Sequence, residues 1–371
     1  MKSGWTTKKL GEVCEEIRER ISSAEIPLAA YITTDNMLKN CAGVCEAENL
    51  PPKICSLVAY QSGDILLSNI RPYLKKIWLA DRSGGASSDV IVLRPRFENI
   101  LARYIYRALA RDEFFDFSML NVTGTKMPRG KRDWIKSFDI PIPPLAEQKR
   151  IVAKIDAAFE KIDRLKTNAE KNLANAKELF QSALDEAMRP KKGCEYVLLP
   201  SVSERIFAGG DKPEIVFKEP TETVQIPVYS NGENNDGLYG YTDNATVTKP
   251  AVTISARGTI GYCSIRRVPY VPIVRLISII PNDRIILEYL YYCLRSLKIN
   301  NTGSSIPQLT VPMIKDLKFP LPPPYEQQRL AKQLDSLSQK TKALQQNYER
   351  QIADCAEMRQ AILREAFEGR L

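Results

Sequence analysis

Two long stretches of the sequence carry apolar side chains at alternating intervals of three and four residues. The first stretch begins at Ile151 and the second at Leu330, and each continues for several heptads. This spacing places the apolar side chains on one face of an α-helix. At 1.5 Å per residue such helices would be about 60 Å long. An isolated helix of this kind needs a partner for its apolar stripe, so we predict that the two helices pack on each other.

The predicted contact between the helices runs along the heptad positions. The apolar repeat is interrupted at Asn172 in the first stretch and at the equivalent Gln351 in the second. An apolar residue follows each of them, so the apolar stripe can shift to that neighbouring position. The alternative is that each helix lies on its own domain. The positions that we predict to form the coiled-coil contact are Ile151, Ile155, Ile162, Leu165, Leu330, Leu334, Leu337, Leu344 and Ile362.

The rest of the chain alternates short apolar runs with polar turns. Residues 63–70 and 87–95 read as strands, and so do residues 251–258 and 272–281 later in the chain. Two further segments with helical periodicity, 99–115 and 284–297, follow these strands. The pattern predicts two α/β (α+β) domains that alternate with the two long helices.

An internal repeat organises this alternation. The phrase "PIPPLAEQKRI" at 141–151 returns as "PLPPPYEQQRL" at 320–330, which is 179 residues later, and the same offset relates 121–188 to 300–367. The prolines cannot lie inside a helix, and the glutamate suits the first turn of one. The phrase therefore predicts an extended segment that leads directly into a helix. The predicted domains are 1–140, the first helix 141–189, a second domain 190–319 and the second helix 320–371.

Composition restricts the class of protein. The chain has 371 residues, of which 44% are hydrophobic, so two folded cores are expected. The absence of long apolar runs and of a signal-like N-terminus predicts a cytoplasmic protein, and the eight cysteines are then expected as thiols. The sequence contains no histidine, which excludes histidine-based acid–base catalysis and imidazole metal ligands.

Motifs of catalysis are absent from the sequence. It has neither a phosphate-binding G-x-x-x-x-G-K-[ST] loop nor a G-x-G-x-x-G motif, and it lacks the [DN]-P-P-[FYW] motif of adenine methyltransferases. Its carboxylates are scattered, and the loose pair Cys41 and Cys45 does not resemble a zinc site. We therefore predict no catalytic residues, no metal site and no cofactor bound by this chain.

Several loops have the composition of a nucleic-acid interface, which agrees with the net charge of +9. Basic residues crowd the segment 123–136, whereas its repeat at 302–315 carries hydroxyl and amide groups instead. The turns 66–76 and 253–263 place arginine after an apolar strand, and 229–241 is rich in asparagine and glycine. Each segment has a purely structural alternative. Residues 123–136 can form a solvated basic loop, the turns 66–76 and 253–263 can be ordinary hairpins, and 229–241 can be a long turn. The predicted DNA contacts are Arg71, Tyr73, Lys75, Lys76, Thr125, Lys126, Arg129, Lys131, Arg132, Asn231, Asn234, Arg257, Thr259, Ser304, Ser305 and Gln308.

The two proline-rich phrases, the heptad helices after them and the C-terminal "AILREAFEGRL" together resemble the DNA-specificity subunits of type I restriction-modification systems (HsdS). The resemblance covers the whole chain in the order of the family. It implies two target recognition domains, each of which reads one half of a split, asymmetric sequence in double-stranded DNA. It also implies that the long helices pair in an antiparallel arrangement, set the gap between the half-sites and dock other subunits.

The resemblance further implies which partners carry out the chemistry. Two modification subunits would bind S-adenosylmethionine and methylate adenine, and motor–nuclease subunits that use ATP and Mg²⁺ would complete the restriction complex. Two alternatives remain: a stand-alone DNA-binding coiled-coil protein, and a nuclease that cuts DNA unaided. A methyltransferase partner would exclude the first alternative, and a failure to nick plasmid DNA in Mg²⁺ would exclude the second.

Overall fold

The computed structural model describes residues 4–189, 194–297 and 308–371. The helices are α1 (Leu10–Val13), α2 (Ala102–Leu109), α3 (Asp112–Met119), α4 (Arg132–Lys136), α5 (Leu145–Ala187), α6 (Leu287–Arg295), α7 (Val311–Lys315) and α8 (Pro324–Phe367). None of the helices within the described ranges has a stretch long and apolar enough to cross a membrane.

Short strands make up most of the remaining structure. The strands of the first half of the chain are β1 (Thr6–Lys9), β2 (Cys14–Glu16), β3 (Arg20–Ser22), β4 (Tyr31–Ile32), β5 (Ser56–Tyr60), β6 (Ile65–Ser68), β7 (Ile77–Leu79), β8 (Gly84–Ala86), β9 (Val90–Pro95), β10 (Val122–Thr123), β11 (Arg129–Gly130) and β12 (Asp139–Ile142). Those of the second half are β13 (Glu195–Leu198), β14 (Ser203–Ala208), β15 (Ile226–Tyr229), β16 (Leu238–Thr242), β17 (Ala251–Ile254), β18 (Cys263–Arg266), β19 (Val271–Pro272), β20 (Ile277–Pro281) and β21 (Lys318–Leu321).

The chain forms two compact units. Unit 1 contains Met1–Ala169 and Arg350–Leu371, and unit 2 contains Glu170–Glu349. Each unit therefore holds one α/β domain together with a segment of both long helices. The predicted boundary at 140 lies within β12, which pairs with β1, and the predicted boundary at 319 lies within β21, which pairs with β13.

The main sheet of unit 1 explains why its inner strands β6 and β9 are mostly apolar runs. The strand order is β2-β9-β6-β7, and every side chain of β6 is buried because both faces of the sheet are covered. Ile65 and Leu67 point into a core with the helix residue Tyr104, whereas Leu66 belongs to a cluster on the other face with Trp78.

Unit 2 repeats this topology. Its main sheet has the order β14-β20-β17-β18, in which β17 is an inner strand like β6 and is likewise fully buried. The parallel pairing of β4 with β8 in unit 1 returns as the parallel pairing of β15 with β19. The duplicated α/β architecture predicted from the repeat is therefore confirmed.

The long helices contact each other within unit 1. The side chains of Ile151 and Ile155 are buried in the same core as Leu363 and Phe367. Near the start of α5, Arg150 Nη2 donates to the carbonyl oxygen of Leu371 at 2.8 Å, and further along α5 Asp163 pairs with Arg359. Contacts that move forward along α5 thus move backward along α8, so the two segments run antiparallel.

In unit 2 the helices pack on each other and on the domain. Phe180 and Leu184 of α5 form a cluster with Ala331 and Leu334 of α8, and Tyr292 of α6 completes it. Leu330 points into the domain core instead. Both interpretations of the stripe, pairing between helices and packing on a domain, are therefore realised.

The buried stripe departs from the predicted heptad positions in the middle of each helix. Leu165 and Leu344 are 55% and 41% exposed, whereas Ile162 is buried and Leu337 and Ile362 are half-buried. The heptad positions that stay buried nearby carry small residues, namely Ala169 in α5, seven residues after Ile162, and Thr341 in α8, seven residues after Leu334. The reason is geometric, because a seven-residue repeat drifts around a straight helix and other positions come to face the partner.

A buried glutamine explains the repeated proline-rich phrase. The side chain of Gln148 is 0% exposed, and its Oε1 accepts from Leu101 N at 2.9 Å while its Nε2 donates to Asn99 O and Pro143 O at 3.0 and 2.9 Å. The amide therefore joins the start of α5 to the loop before α2.

Gln327 repeats these contacts in unit 2. Its Oε1 accepts from Ile286 N at 2.9 Å, and its Nε2 donates to Arg284 O and Pro322 O at 3.0 and 2.9 Å. Each domain is thus fastened to its long helix by the same three hydrogen bonds.

Candidate nucleic-acid interface

Two of the predicted loops meet in unit 1. The turn after β6 lies against the β10–β11 hairpin, because Gly130 N donates to Asn69 O at 3.1 Å and Arg71 N donates to Pro128 O at 2.7 Å. A Cβ atom at Gly130 would lie 2.8 Å from Ile135 Cδ1 and 3.3 Å from Asn69 Oδ1, so a larger residue there would require these side chains to shift. Residues separated by about 60 positions in the sequence therefore share one surface.

Acidic side chains hold two of the predicted arginines on this surface. Arg129 Nη1 donates to Asp89 Oδ1 at 2.7 Å. Arg132 pairs with Glu16, and its Nη2 donates to the carbonyl oxygen of Ser88 at 2.8 Å. These contacts restrict both guanidinium groups and leave their remaining donors for a ligand.

Glu16 lies at the centre of this arrangement, with a side chain only 6% exposed. Burial acts to raise the pKa of Glu16, but the hydrogen bond and charge of Arg132, with smaller contributions from Lys136 and Arg18, outweigh burial and lower that pKa. The carboxylate is therefore ionised and fixes Arg132 by charge as well as by geometry.

Other predicted residues in unit 1 divide into engaged and free side chains. Lys75 Nζ pairs with Asp112 Oδ1 at 2.6 Å, and Lys76 donates to Thr34 O while burial lowers its pKa. Tyr73 is exposed. The side chains of Thr125, Lys126 and Lys131 are exposed and have no hydrogen bond or ion pair to another described residue.

The same surface holds two buried polar atoms, one on Asn69, which the sequence did not single out, and one on Arg71, which it did. Asn69 is largely buried, yet its Oδ1 has no hydrogen-bond partner among the described residues, and neither has the buried Nε of Arg71. Unpaired buried polar groups are costly, so they mark a place where a ligand or water supplies partners. In the sequence, the only indication of the role of Asn69 was its position directly after a buried strand.

Unit 2 builds an equivalent surface with different side chains. Leu309 N donates to Ala256 O at 2.9 Å, which repeats the bond from Gly130 to Asn69. The predicted residues Arg257 and Gln308 come together, because Arg257 Nη2 and Nε donate to Gln308 Oε1 at 2.8 and 3.2 Å. Thr259 lies exposed on the same turn.

The asparagine-rich loop separates into a structural residue and an exposed residue. Asn231 donates to Val274 O and accepts from Ala256 N, both at 2.7 Å, so its amide is engaged within the unit. Asn234 is exposed at the start of a short 3₁₀ turn, Asn234–Gly237, which the buried Arg266 holds through Asp236 at 2.5 Å. Ser304 and Ser305 lie outside the described residues, and their predicted role stays a prediction.

The described part of the interface contains basic and amide groups and no candidate metal centre. Within 4–189, 194–297 and 308–371, no group of three or more cysteine or acidic side chains lies in a position to hold a metal ion. Arginine, lysine and asparagine on loops are the side chains that contact DNA phosphates and base edges.

Comparison with known protein families gives two matches along the chain. Residues 2–175 and 205–353 match the type I restriction modification DNA specificity domain. A protein of Mycoplasma pneumoniae named as a type I specificity subunit is 28% identical over 280 residues, which cover 74% of this chain and 75% of the relative. The specificity subunit of the Escherichia coli type I restriction enzyme EcoDI is 28% identical over 130 residues, which cover 35% of this chain and 29% of that subunit.

Solved structures share the fold. A chain from a structure described for the complex assembly and conformational transition of a type I restriction-modification system covers 100% of this chain, with 99% of its own length covered, a TM-score of 0.81 and 24% identity. The HsdS subunit of Thermoanaerobacter tengcongensis covers 100% of this chain, with 98% of its own length covered, a TM-score of 0.60 and 23% identity.

Proposed function

Because the chain belongs to the type I restriction-modification DNA specificity family, we propose that it binds a bipartite, asymmetric sequence in double-stranded DNA. Each α/β domain reads one half-site. The surface of unit 1 around Arg129 and Arg132 contacts one half-site, and the surface of unit 2 around Arg257 and Gln308 contacts the other.

The duplicated interface carries this proposal. In both units a turn after an inner strand lies against the segment that precedes a short helix, and the same backbone hydrogen bond joins them. The side chains differ, since Asn69 and Arg129 in unit 1 occupy the positions of Ala256 and Gln308 in unit 2. The two surfaces thus share a backbone arrangement but present different polar side chains. This suits two domains that read different base sequences.

The long helices join the two readers in our proposal. They set the gap between the half-sites, and their exposed faces dock two modification subunits and the motor–nuclease subunits. S-adenosylmethionine, ATP and Mg²⁺ are bound by those subunits, which methylate adenine and cut DNA. Exposed apolar side chains on both helices, such as Leu165, Leu179 and Met358, support docking because an apolar side chain gains free energy when a partner covers it.

Exchanging one domain tests the proposal. Residues 4–142 are replaced by the corresponding segment of another family member, with the junction placed after β12 so that the β1–β12 pair is exchanged whole. Selection of bound duplexes from a random library should then return one new half-site and one unchanged half-site at the original gap. The matched control exchanges residues 195–321, from β13 to β21, and should change the other half-site. If either exchange alters both half-sites, or neither, the division into two readers is wrong.

A further inference from the structure

The turn between β19 and β20 has an unusual backbone. Val274 and Arg275 both adopt left-handed conformations, with φ of 53° and 65°. This region is unfavourable for residues with a side chain and most unfavourable for a β-branched residue such as valine. Glycine would adopt it freely, yet neither position is glycine. Such strain persists only where surrounding contacts enforce it, and it concentrates at ligand-binding positions.

The contacts that enforce this conformation come from two sides. On one side, Val274 N donates to Gly210 O at 2.9 Å and Arg275 N donates to Gly209 O at 3.1 Å. A Cβ atom at Gly209 would lie 2.5 Å from Pro272 O, so the two chain segments can approach this closely only because this residue is glycine.

On the other side, the amide of Asn231 joins the turn to the neighbouring loop. It donates to Val274 O and accepts from Ala256 N. Ala256 directly precedes Arg257, so Asn231 places the strained turn beside the Arg257 turn. The side chains of Arg257, Arg275 and Gln308 consequently line one cavity of about 110 Å³.

The charges around this cavity are not balanced. The lining residues within the described ranges include two arginines and no acid. The Arg275 side chain is exposed and makes no hydrogen bond or ion pair with any residue in the described ranges, while Arg257 donates to Gln308. Two guanidinium groups at one cavity repel each other, and an acceptor-rich ligand would offset that repulsion.

The equivalent turn of unit 1 already belongs to the candidate interface. Ser87 N donates to Ile32 O in unit 1 just as Ile273 N donates to Tyr229 O in unit 2, so the turns correspond. In unit 1 this turn holds Arg129 and Arg132 through Asp89 and Ser88. In unit 2 it carries an arginine of its own.

We infer that Arg275 determines the base preference of unit 2 by donating two hydrogen bonds to the O6 and N7 atoms of a guanine in the major groove. Asn231 is a positioning residue that fixes the turn, and it does not read a base. The strained turn is retained because it aims the guanidinium at the groove. This inference rests on the proposed function, since it names the residue by which one of the two readers selects its half-site.

Selection of duplexes from a random library by the full chain tests the inference. Lysine keeps the charge of arginine but replaces its rigid planar pair of donors by a single flexible ammonium group, which selects guanine less strongly. Arg275→Lys should therefore lose about tenfold or more of the preference for guanine at one position of one half-site, while the dependence of affinity on salt stays unchanged. Arg267→Lys is the matched control, because Arg267 pairs with Glu288 at 2.7 Å and should leave the selected sequence as in the wild type.

Two outcomes overturn the inference. If neither Arg275→Lys nor Arg275→Ala changes the selected sequence, Arg275 does not read a base. If Arg275→Ala weakens binding to all duplexes equally and lowers the salt dependence by about one ion, Arg275 contacts a phosphate instead. A wild-type chain that selects no sequence at all would contradict the proposed function, and that result is distinct from both.

A second variant separates positioning from reading. Asn231→Asp keeps the oxygen that accepts from Ala256 N and removes the donor to Val274 O. If Asn231 only positions the turn, this variant should lose the same guanine preference as Arg275→Lys, with every other position of the sequence unchanged. The loss of a different base preference would show that Asn231 itself contacts DNA and would overturn its assigned role.

Discussion

At the scale of single residues, the candidate interface of unit 1 depends on a carboxylate that holds an arginine in place. Glu16 holds Arg132, and Lys136 and Arg18 lie around the same group. An arginine fixed in this way loses less side-chain entropy on binding than a free one. Acidic residues within a basic surface can therefore strengthen recognition.

Replacing Glu16 by glutamine should reveal this role through pH. The folded-state pKa of Glu16 is lowered below its ordinary value of 4.5, so its stabilisation is present above that value and is lost as pH falls through the folded pKa. Glu16→Gln should lower the free energy of unfolding near neutral pH by about 2 kcal/mol, because a charged hydrogen bond is lost. It should also remove part of the acid dependence below pH 4.5.

Urea unfolding between pH 3 and pH 7 measures both effects. Glu19→Gln is the control, because Glu19 is an exposed carboxylate close to Glu16 in the sequence. If the free energy of unfolding falls equally steeply with decreasing pH in the wild type and in Glu16→Gln, the role assigned to the buried carboxylate is wrong.

At the scale of elements, the joint between each domain and its helix is specified by contacts that both units repeat. Gln148 and Gln327 are buried to 0% and 1% exposure and form the same three hydrogen bonds. Tyr104 Oη donates to Pro141 O at 2.7 Å, and Tyr289 Oη repeats the contact with Pro320 O at 2.9 Å. Proline supplies a stiff segment without an N–H group, and the buried side chains hold that segment in place.

Loss of one of these amides should destabilise one unit. Gln148→Ala leaves the backbone groups of Leu101, Asn99 and Pro143 without their partner, and it should lower the free energy of unfolding of unit 1 by about 3 kcal/mol. Gln327→Ala should have the same effect on unit 2. Thermal unfolding monitored by hydrogen exchange in each unit measures the change.

The neighbouring Lys149 is exposed and provides the control, because Lys149→Ala should change stability by less than about 0.5 kcal/mol. Equal effects of Gln148→Ala and Lys149→Ala would mean that the amide does not hold the joint.

At the scale of the whole molecule, the proposed function assigns the gap between the half-sites to the long helices. Each unit contains a segment of both α5 and α8, and in unit 1 these segments run antiparallel. A change in the length of one helix alone would therefore displace its apolar positions from those of its partner. The gap between the half-sites should therefore change only when both helices are lengthened or shortened by the same number of residues.

Lengthening both helices by a heptad should lengthen the accepted gap. Seven residues inserted after Ala169 in α5 and seven after Glu349 in α8 add about 10 Å to each helix. Because base pairs lie about 3.4 Å apart, the preferred gap should grow by about three base pairs, with both half-sites unchanged. Selection from libraries with variable gaps measures this length.

Insertion into α5 alone is the control, and it should reduce binding to every gap because the stripes no longer face each other. A chain with both insertions that keeps its original gap would show that the distance is set elsewhere.

The sequence by itself determined the duplication, the two α/β domains, the long helices and the joints. These features rest on periodicity and on a repeated phrase, and periodicity is a local property of the chain. Pairing of the helices also followed, although Leu165 and Leu344 lie exposed because the drift of the stripe depends on the partner.

Only the tertiary structure decided which polar side chains are available on the interface. Lys75 and Asn231 looked as accessible in the sequence as Lys131, yet each is engaged by a distant residue, Asp112 and Val274. Arg275 stands within an apolar run, 272–281, that predicted a strand. In the structure it lies in a left-handed turn, which hydrogen bonds to Gly209 and Gly210 enforce and which exposes its side chain. The physical reason is that loop side chains are oriented by contacts between residues far apart in the sequence, which no local pattern records.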